Sequence, residues 1–290
     1  MSLSNHPMWK MDPPDQFSLS GGGLASPLID KVYLDVVSPS GDVCIAYAID
    51  LRWGPLRLSA SSVLVAPVDG AVATQTSLGA RAWHTDESGV SFDAPALGAS
   101  GRWSTAGISP IAATLLNSDE GAVHWTCLAP ATDASITVGE RKISGRGYAE
   151  RLVMTIEPWK LPIDLLRWGR FIDADASVVW ISWCEGRDEQ PTRQLVLVDG
   201  VRAEAPCVTD REVLWHGGGL SLEPVRTLRD APFATGPVAT VARALPFLPA
   251  QYLLSHEKKW LANGRMEQEA GAPRVGTAVH EAVRFQRSGA

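Results

Sequence analysis

The chain has 290 residues, 45% of them hydrophobic, with 26 Gly and 20 Pro scattered along it. That composition suits two domains or one large β domain, and excludes a disordered or collagen-like chain. A net charge of −6 supplies no basic stripe to release phosphate counterions, so nucleic acid is not an expected partner.

Residues 1–30 carry several Pro and the run Gly21-Gly22-Gly23, and read as an irregular lead-in whose Met8, Trp9 and Met11 pack onto the body. The opening, MSLSNHPMWKMDPPDQ, lacks a signal-type apolar run. No segment reaches the ~20 apolar residues of a membrane span. The chain therefore reads as soluble, reduced and cytoplasmic, with peripheral membrane association left open.

From Lys31 the pattern is β. Val32 to Val37, Val43 to Leu51 and Leu56 to Val65 are apolar runs separated by the turn residues Ser38 to Asp42 and Trp53 to Pro55. Shorter strands follow at Ala82 to Asp86, Val90 to Phe92 and Gly101 to Thr105, then Ile111 to Leu116, Ala122 to Leu128, Ser135 to Val138 and Ser144 to Ile156. Strands at about ten-residue spacing imply a sandwich or barrel. The second half repeats this texture from Phe171, with Asp199-Gly200 as a hairpin signal. Val238 to Leu245 has helical spacing, which Pro246 and Pro249 end. Leu253 to Met266 and Ala278 to Phe285 close the chain as strands. The two halves, alike in length and texture, suggest a duplication.

Cys44, Cys127, Cys184 and Cys207 are far apart, with no Cys-x-x-Cys, and each reads as a small buried hydrophobe. The six His have no metal-binding spacing, so neither a metal nor a cofactor is expected. The glycine runs lack the strand-to-helix context and Lys of a phosphate loop, and no Gly-x-Ser-x-Gly nucleophile turn occurs.

The densest mixture of rings and ionisable groups is Gly145 to Phe171, GRGYAERLVMTIEPWKLPIDLLRWGRF. A strand, the Pro-bounded turn Glu157 to Pro162 and a new strand share this stretch, so one sheet ends here and another begins. Period-two alternation puts Tyr148 and Glu150 on one face. A barrel interior is where that face could point. Glu150 beside Arg146 and Arg151 reads equally as a paired surface charge.

Several segments in order resemble the carotenoid 1,2-hydratase (hydroxyneurosporene synthase) family. They are His124-Trp125-Thr126-Cys127-Leu128-Ala129-Pro130-Ala131, Gly145-Arg146-Gly147-Tyr148-Ala149-Glu150, Leu166-Arg167-Trp168-Gly169-Arg170, Arg226 to Phe233 (RTLRDAPF) and Ala278 to Phe285 (AVHEAVRF). Glu150 stands where the family has Asp, Arg151-Leu152-Val153 replaces its Asn-Phe-Gly, and IEPWKLPIDL looks like an insertion. The resemblance covers roughly Lys31 to Phe285 and extends to a wider group of tandem lipocalin-like proteins, some of them pericyclic cyclases.

It implies an all-β chain of two tandem lipocalin-like antiparallel barrels, over residues 31–157 and 158–290. The implied activity is cofactor-free, lyase- or cyclase-type acid catalysis on a C=C of an apolar isoprenoid or polyketide-like substrate. Adding water to a C=C needs a carboxyl group to protonate carbon, aromatic faces to support the cation and a polar group to deliver water. Glu150 fits the acid, Tyr148 its partner and Asp230 a second carboxylate, although Asp230 also reads as a turn residue before Pro232. Trp125, Trp168, Arg170 and His280, all within the matching segments, are the candidate substrate-binding residues. The two Trp fit core positions as well, and His280 with Glu281 fits an ordinary strand pair whose side chains face opposite ways. A non-catalytic carrier of a lipid or hydrophobic metabolite fits the same scaffold.

Overall fold

A computed structural model describes residues 10–12, 27–186, 191–245, 248–269 and 271–286. Met8, Trp9 and Gly21–Gly23 lie outside these. The chain divides into two units, each built on one antiparallel sheet. The first spans Lys10–Leu161 and includes helix α1 (Pro237–Arg243). The second comprises the strands that follow Pro162.

In the first unit β2 (Leu28–Val37), β3 (Val43–Trp53), β4 (Leu56–Ala66) and β5 (Ala73–Gly79) form a meander. β6 (Trp83–Asp86), β7 (Gly89–Ala94) and β8 (Ala99–Ser104) form another, followed by β9 (Ile111–Ser118), β10 (Gly121–Val138) and β11 (Arg141–Met154). The order is β5-β4-β3-β2-β11-β10-β8-β7-β6, so the last strand pairs with the first strand of the meander. β1 (Lys10–Asp12) pairs with β9, so the lead-in contributes strand as well. β9 and β8 divide the long β10 between them.

The second unit repeats the plan. β12 (Leu165–Ile172), β13 (Ser177–Cys184), β14 (Pro191–Val198) and β15 (Val201–Arg202) form a meander; β16 (Cys207–Val208), β17 (Glu212–Trp215) and β18 (Gly218–Pro232) come next. After α1 and α2 (Ala250–Leu253), β19 (His256–Gln268) and β20 (Arg274–Arg284) complete the order β15-β14-β13-β12-β20-β19-β18-β17-β16. β18 alone takes the place of β8 and β9. The expected all-β, tandem lipocalin-like architecture is the one observed. Asp199 and Gly200 both have positive φ, 51° and 78°, the primed turn that joins twisted hairpin strands.

Each sheet has a core face. In the first, Val32, Leu34 and Val36 of β2 and Ala149 of β11 pack with Trp83, Phe92 and Trp103. In the second, Phe171, Val178, Trp180, Val196, Ala262 and Ala278 do the same. Two glycines make these cores close. A Cβ on Gly147 would lie 2.4 Å from the Asp35 carbonyl oxygen and 2.9 Å from Trp103 Nε1. One on Gly169 would lie 2.3 Å from the Trp180 ring. Cys44, Cys127 and Cys184 are buried, but Cys207 is exposed on the short strand β16, which corrects its reading as a buried hydrophobe.

Candidate active site

The register across β2, β11 and β10 explains how Glu150 is placed. Ala149 lies opposite Leu34, and both belong to the apolar core. Alternation then turns Tyr148 and Glu150 to the opposite face of the sheet. They therefore lie on the face of the sheet opposite its apolar core. Their face is nevertheless closed to solvent: Glu150 is 8% exposed, and Tyr148 and Asp35 are fully buried.

The partners on this face come from three strands. Glu150 lies opposite Tyr33 on β2 and Cys127 on β10, and Tyr148 lies opposite Asp35. Trp125 is two residues from Cys127, so its indole reaches Glu150 diagonally. Trp125 Nε1 donates to Glu150 Oε2 at 2.6 Å, and Tyr148 Oη donates to the same oxygen at 2.8 Å. β10 is irregular next to this point, with register shifts between Cys127 and Ala129 and between Ala129 and Thr132. Bulges of this kind re-aim side chains beside functional sites.

The two arginines that flank Glu150 in sequence are engaged elsewhere. Arg146 pairs with Asp133 at 2.9 Å. Arg151 holds Asp30 through two bonds of 2.8 and 3.0 Å. Arg81 bridges Asp30 and Asp50 and lies 4.3 Å over the Trp83 ring. Arg81 also borders a shallow cleft of about 380 Å³ with Asp50, Arg52, Arg57 and Ser59. This charged cleft does not include Glu150.

Burial, reinforced by the neighbouring Glu150 carboxylate, pushes the Tyr148 hydroxyl well above the usual phenol range. It therefore stays protonated and acts as a donor. Burial likewise raises the Cys127 thiol, so it is a neutral neighbour and not a nucleophile. Tyr33 donates to Asp35 Oδ2 at 3.1 Å and meets the rings of Tyr47 and Tyr148 edge-on at 5.2 and 6.1 Å. Trp103 Nε1 donates to the Asp35 backbone carbonyl at 2.6 Å. Tyr33 and Asp35 were not singled out from sequence, and Cys127 was read only as a buried hydrophobe. The available signal was an acidic residue inside the apolar run Val32–Val37.

Of the sequence candidates, Glu150, Tyr148 and Trp125 are brought together. Asp230, Trp168, Arg170 and His280 belong to the second unit. Asp230 is a surface carboxylate bonded to His256 at 2.6 Å and Lys258 at 3.4 Å. The His256 bond, then Lys258, holds its carboxyl below the usual range. It therefore stays ionised near neutral pH, an environment that does not suit a proton donor. Arg170 is fully buried and donates to the Thr277 carbonyl at 3.1 Å; Trp168 is buried on the same face of β12. His280 occupies the other face, stacked on Trp260 at 4.9 Å, while Glu281 pairs with Lys259 at 2.5 Å, so the expected opposition of these neighbours holds. The insertion-like stretch forms a 3-10 turn at Pro158–Lys160, with Trp159 stacked on Trp53 at 5.7 Å. No helix among the described residues is long and apolar enough to cross a membrane.

No family model and no curated protein matches the chain. Solved structures do. CghA, solved with Sch210972, aligns over 91% of this chain and 90% of its own at 9% identity, with a TM-score of 0.51. An AttH-like protein from Nitrosomonas europaea aligns over 96% and 100% at 13% identity and a TM-score of 0.49. Kievitone hydratase from Nectria haematococca aligns over 96% of each chain at 9% identity and a TM-score of 0.49. At such identities the likeness is one of fold: this chain shares the tandem β architecture of CghA.

Proposed function

We propose that the chain is a cofactor-free lyase- or cyclase-type enzyme that protonates a C=C of an apolar isoprenoid or polyketide-like substrate, with Glu150 as the acid. The observation that carries this reading is the setting of Glu150. It is buried, separated from Arg146 and Arg151, and gripped on one oxygen by two neutral donors, Trp125 and Tyr148. A salt-bridged surface carboxylate would stay ionised; burial away from cations favours a carboxyl group that carries a proton, against the pull of the two donors toward the charged form. Transfer of that proton to carbon leaves a cation that the faces of Trp125 and the tyrosines support, by about 0.5–2 kcal/mol per ring. Water capture then gives hydration; capture by a second C=C gives a ring. The resemblance to carotenoid 1,2-hydratases lies in the residues that build this constellation. The fold neighbour solved with Sch210972 fits a scaffold that takes small molecules.

The test is turnover of acyclic carotenoids and other polyenes by the parent chain, Glu150→Gln and Glu150→Ala. Loss of general acid catalysis is expected to slow turnover by about 10²–10⁴-fold. Turnover unchanged in Glu150→Gln sinks the acid assignment. A parent chain that binds polyenes without converting them supports the carrier reading instead.

A further inference from the structure

The shallow cleft beside Arg81 lies on the hairpin of β3 and β4, near its turn at Gly54. Alternation places Asp50 and Arg52 on the face of β3 that gives Ala46 and Ala48 to the apolar core. Across the ladder Ser59 lies opposite Asp50, and Arg57 lies directly opposite Arg52. Gly79, opposite Ser59 on β5, leaves the next position open: a Cβ there would meet nothing within 4 Å. The cleft measures about 380 Å³, within the ~300–1,000 Å³ of small-molecule sites, and Arg52, Arg57, Arg81, Leu51 and Leu58 border it.

Its charges are unevenly matched. Asp30 and Asp50 are balanced by Arg151 and Arg81: Arg151 Nε lies 2.8 Å from Asp30, and Arg81 lies 3.5 Å from Asp30 and 3.3 Å from Asp50. Ser59 also donates to Asp50, at 2.6 Å. Arg52 and Arg57 have no carboxylate partner among the described residues, and both are exposed. Arg57 donates through Nη1 to the Gly54 and Leu56 carbonyls at 2.6 and 2.8 Å, which fixes its guanidinium beside the turn. Like charges directly opposite on neighbouring strands repel. On a chain of net charge −6, such a pair does not follow from a basic composition.

A guest with two negative charges removes this repulsion. Guanidinium groups match phosphate oxygens in bidentate pairs. A monocarboxylate would leave one of the two charges uncompensated. Leu58, half-buried at the border, offers an apolar surface to the rest of the guest.

We propose that the cleft binds the dianionic head of a phosphate monoester between Arg52 and Arg57, with the ester's apolar group against Leu58. The proposal stands apart from the Glu150 reading, because Glu150 does not border the cleft.

The probe is butyl phosphate, titrated into the full chain at pH 8 and low ionic strength, where the ester is a dianion, and followed by phosphorus NMR. Saturable binding is expected. Arg52→Gln, which breaks no ion pair among the described residues, is expected to weaken it about tenfold. Arg52→Gln combined with Arg57→Gln is expected to abolish it. Arg211→Gln makes the same change in net charge at an exposed position of the second unit, and is expected to leave binding unchanged. Butyrate is expected to bind about tenfold more weakly than butyl phosphate. No saturable binding, an equal loss in Arg211→Gln, or equal affinity for butyrate overturns the site.

Discussion

The two sheets share one strand order and distribute their buried polar groups differently, although the second also buries Arg170 and Lys259 on its reverse face. The first packs an apolar core around Trp83, Phe92 and Trp103 and places Glu150, Tyr148 and Asp35 on the reverse face. The second carries Arg167, Ser182 and His280 on the core face itself, next to Trp180. The difference teaches that a repeated topology does not repeat a site. Which face holds chemistry is decided strand by strand, by which member of an alternating pair meets the core.

The largest effect expected on stability tests whether the two cores are equivalent. Trp103→Ala and Trp180→Ala should each cost about 3–5 kcal/mol in denaturant unfolding, since both indoles are essentially inaccessible. Trp103→Ala should cost the more, because it also deletes the bond to the Asp35 carbonyl. Equal losses would remove that distinction.

Next in size is a pH effect confined to the second sheet. Burial disfavours the charged form of His280, which titrates near 4 when folded and near 6.5 when unfolded, so the unfolded chain binds the extra proton first. Stability present above pH 6.5 is therefore lost as pH falls through 4, by on the order of 3 kcal/mol. Unfolding measured from pH 7 to 4 should show that slope, and His280→Asn should flatten it.

A smaller contrast separates a satisfied polar group from an unsatisfied one. Tyr148→Phe removes a donor from a buried carboxylate and should cost about 1–3 kcal/mol, whereas Ser182→Ala, which removes a buried hydroxyl with no partner among the described residues, should fall within about 1 kcal/mol of zero. Thermal unfolding of the pair checks this; a large loss in Ser182→Ala would mean that its hydroxyl is bonded. The smallest effect belongs to Asp230→Asn. Asp230 is an exposed partner of His256 and Lys258, and its replacement should leave polyene turnover unchanged.

Much of the fold was legible in the sequence. Apolar runs punctuated by Gly, Pro and Asp gave most strands, and Asp199-Gly200 gave its hairpin. The grouping of Tyr148 with Glu150 followed from alternation. Which face they took did not. Residues Gly147 to Glu150 are all buried, and a strand buried on both faces has no polar side to show its orientation. That was fixed by Leu34 and Ala149 meeting a core assembled from distant strands. Asp230, Trp168, Arg170 and His280 stood beside Glu150 in the sequence reading because matching segments share an order along the chain, and order along the chain does not place residues on one sheet. Asp210 was missed for the same reason: its tie to Arg167 joins a loop to a strand 43 positions away.

The most direct test of the central claim is the fate of the proton. Polyene turnover by the parent chain in deuterated water, followed by mass spectrometry and carbon NMR of the product, reports it. Acid catalysis by Glu150 predicts one solvent deuteron bonded to carbon in the product, formed by the parent chain and suppressed about 10²-fold or more in Glu150→Gln. A product without carbon-bound deuterium, or one formed equally fast by Glu150→Gln, would contradict it.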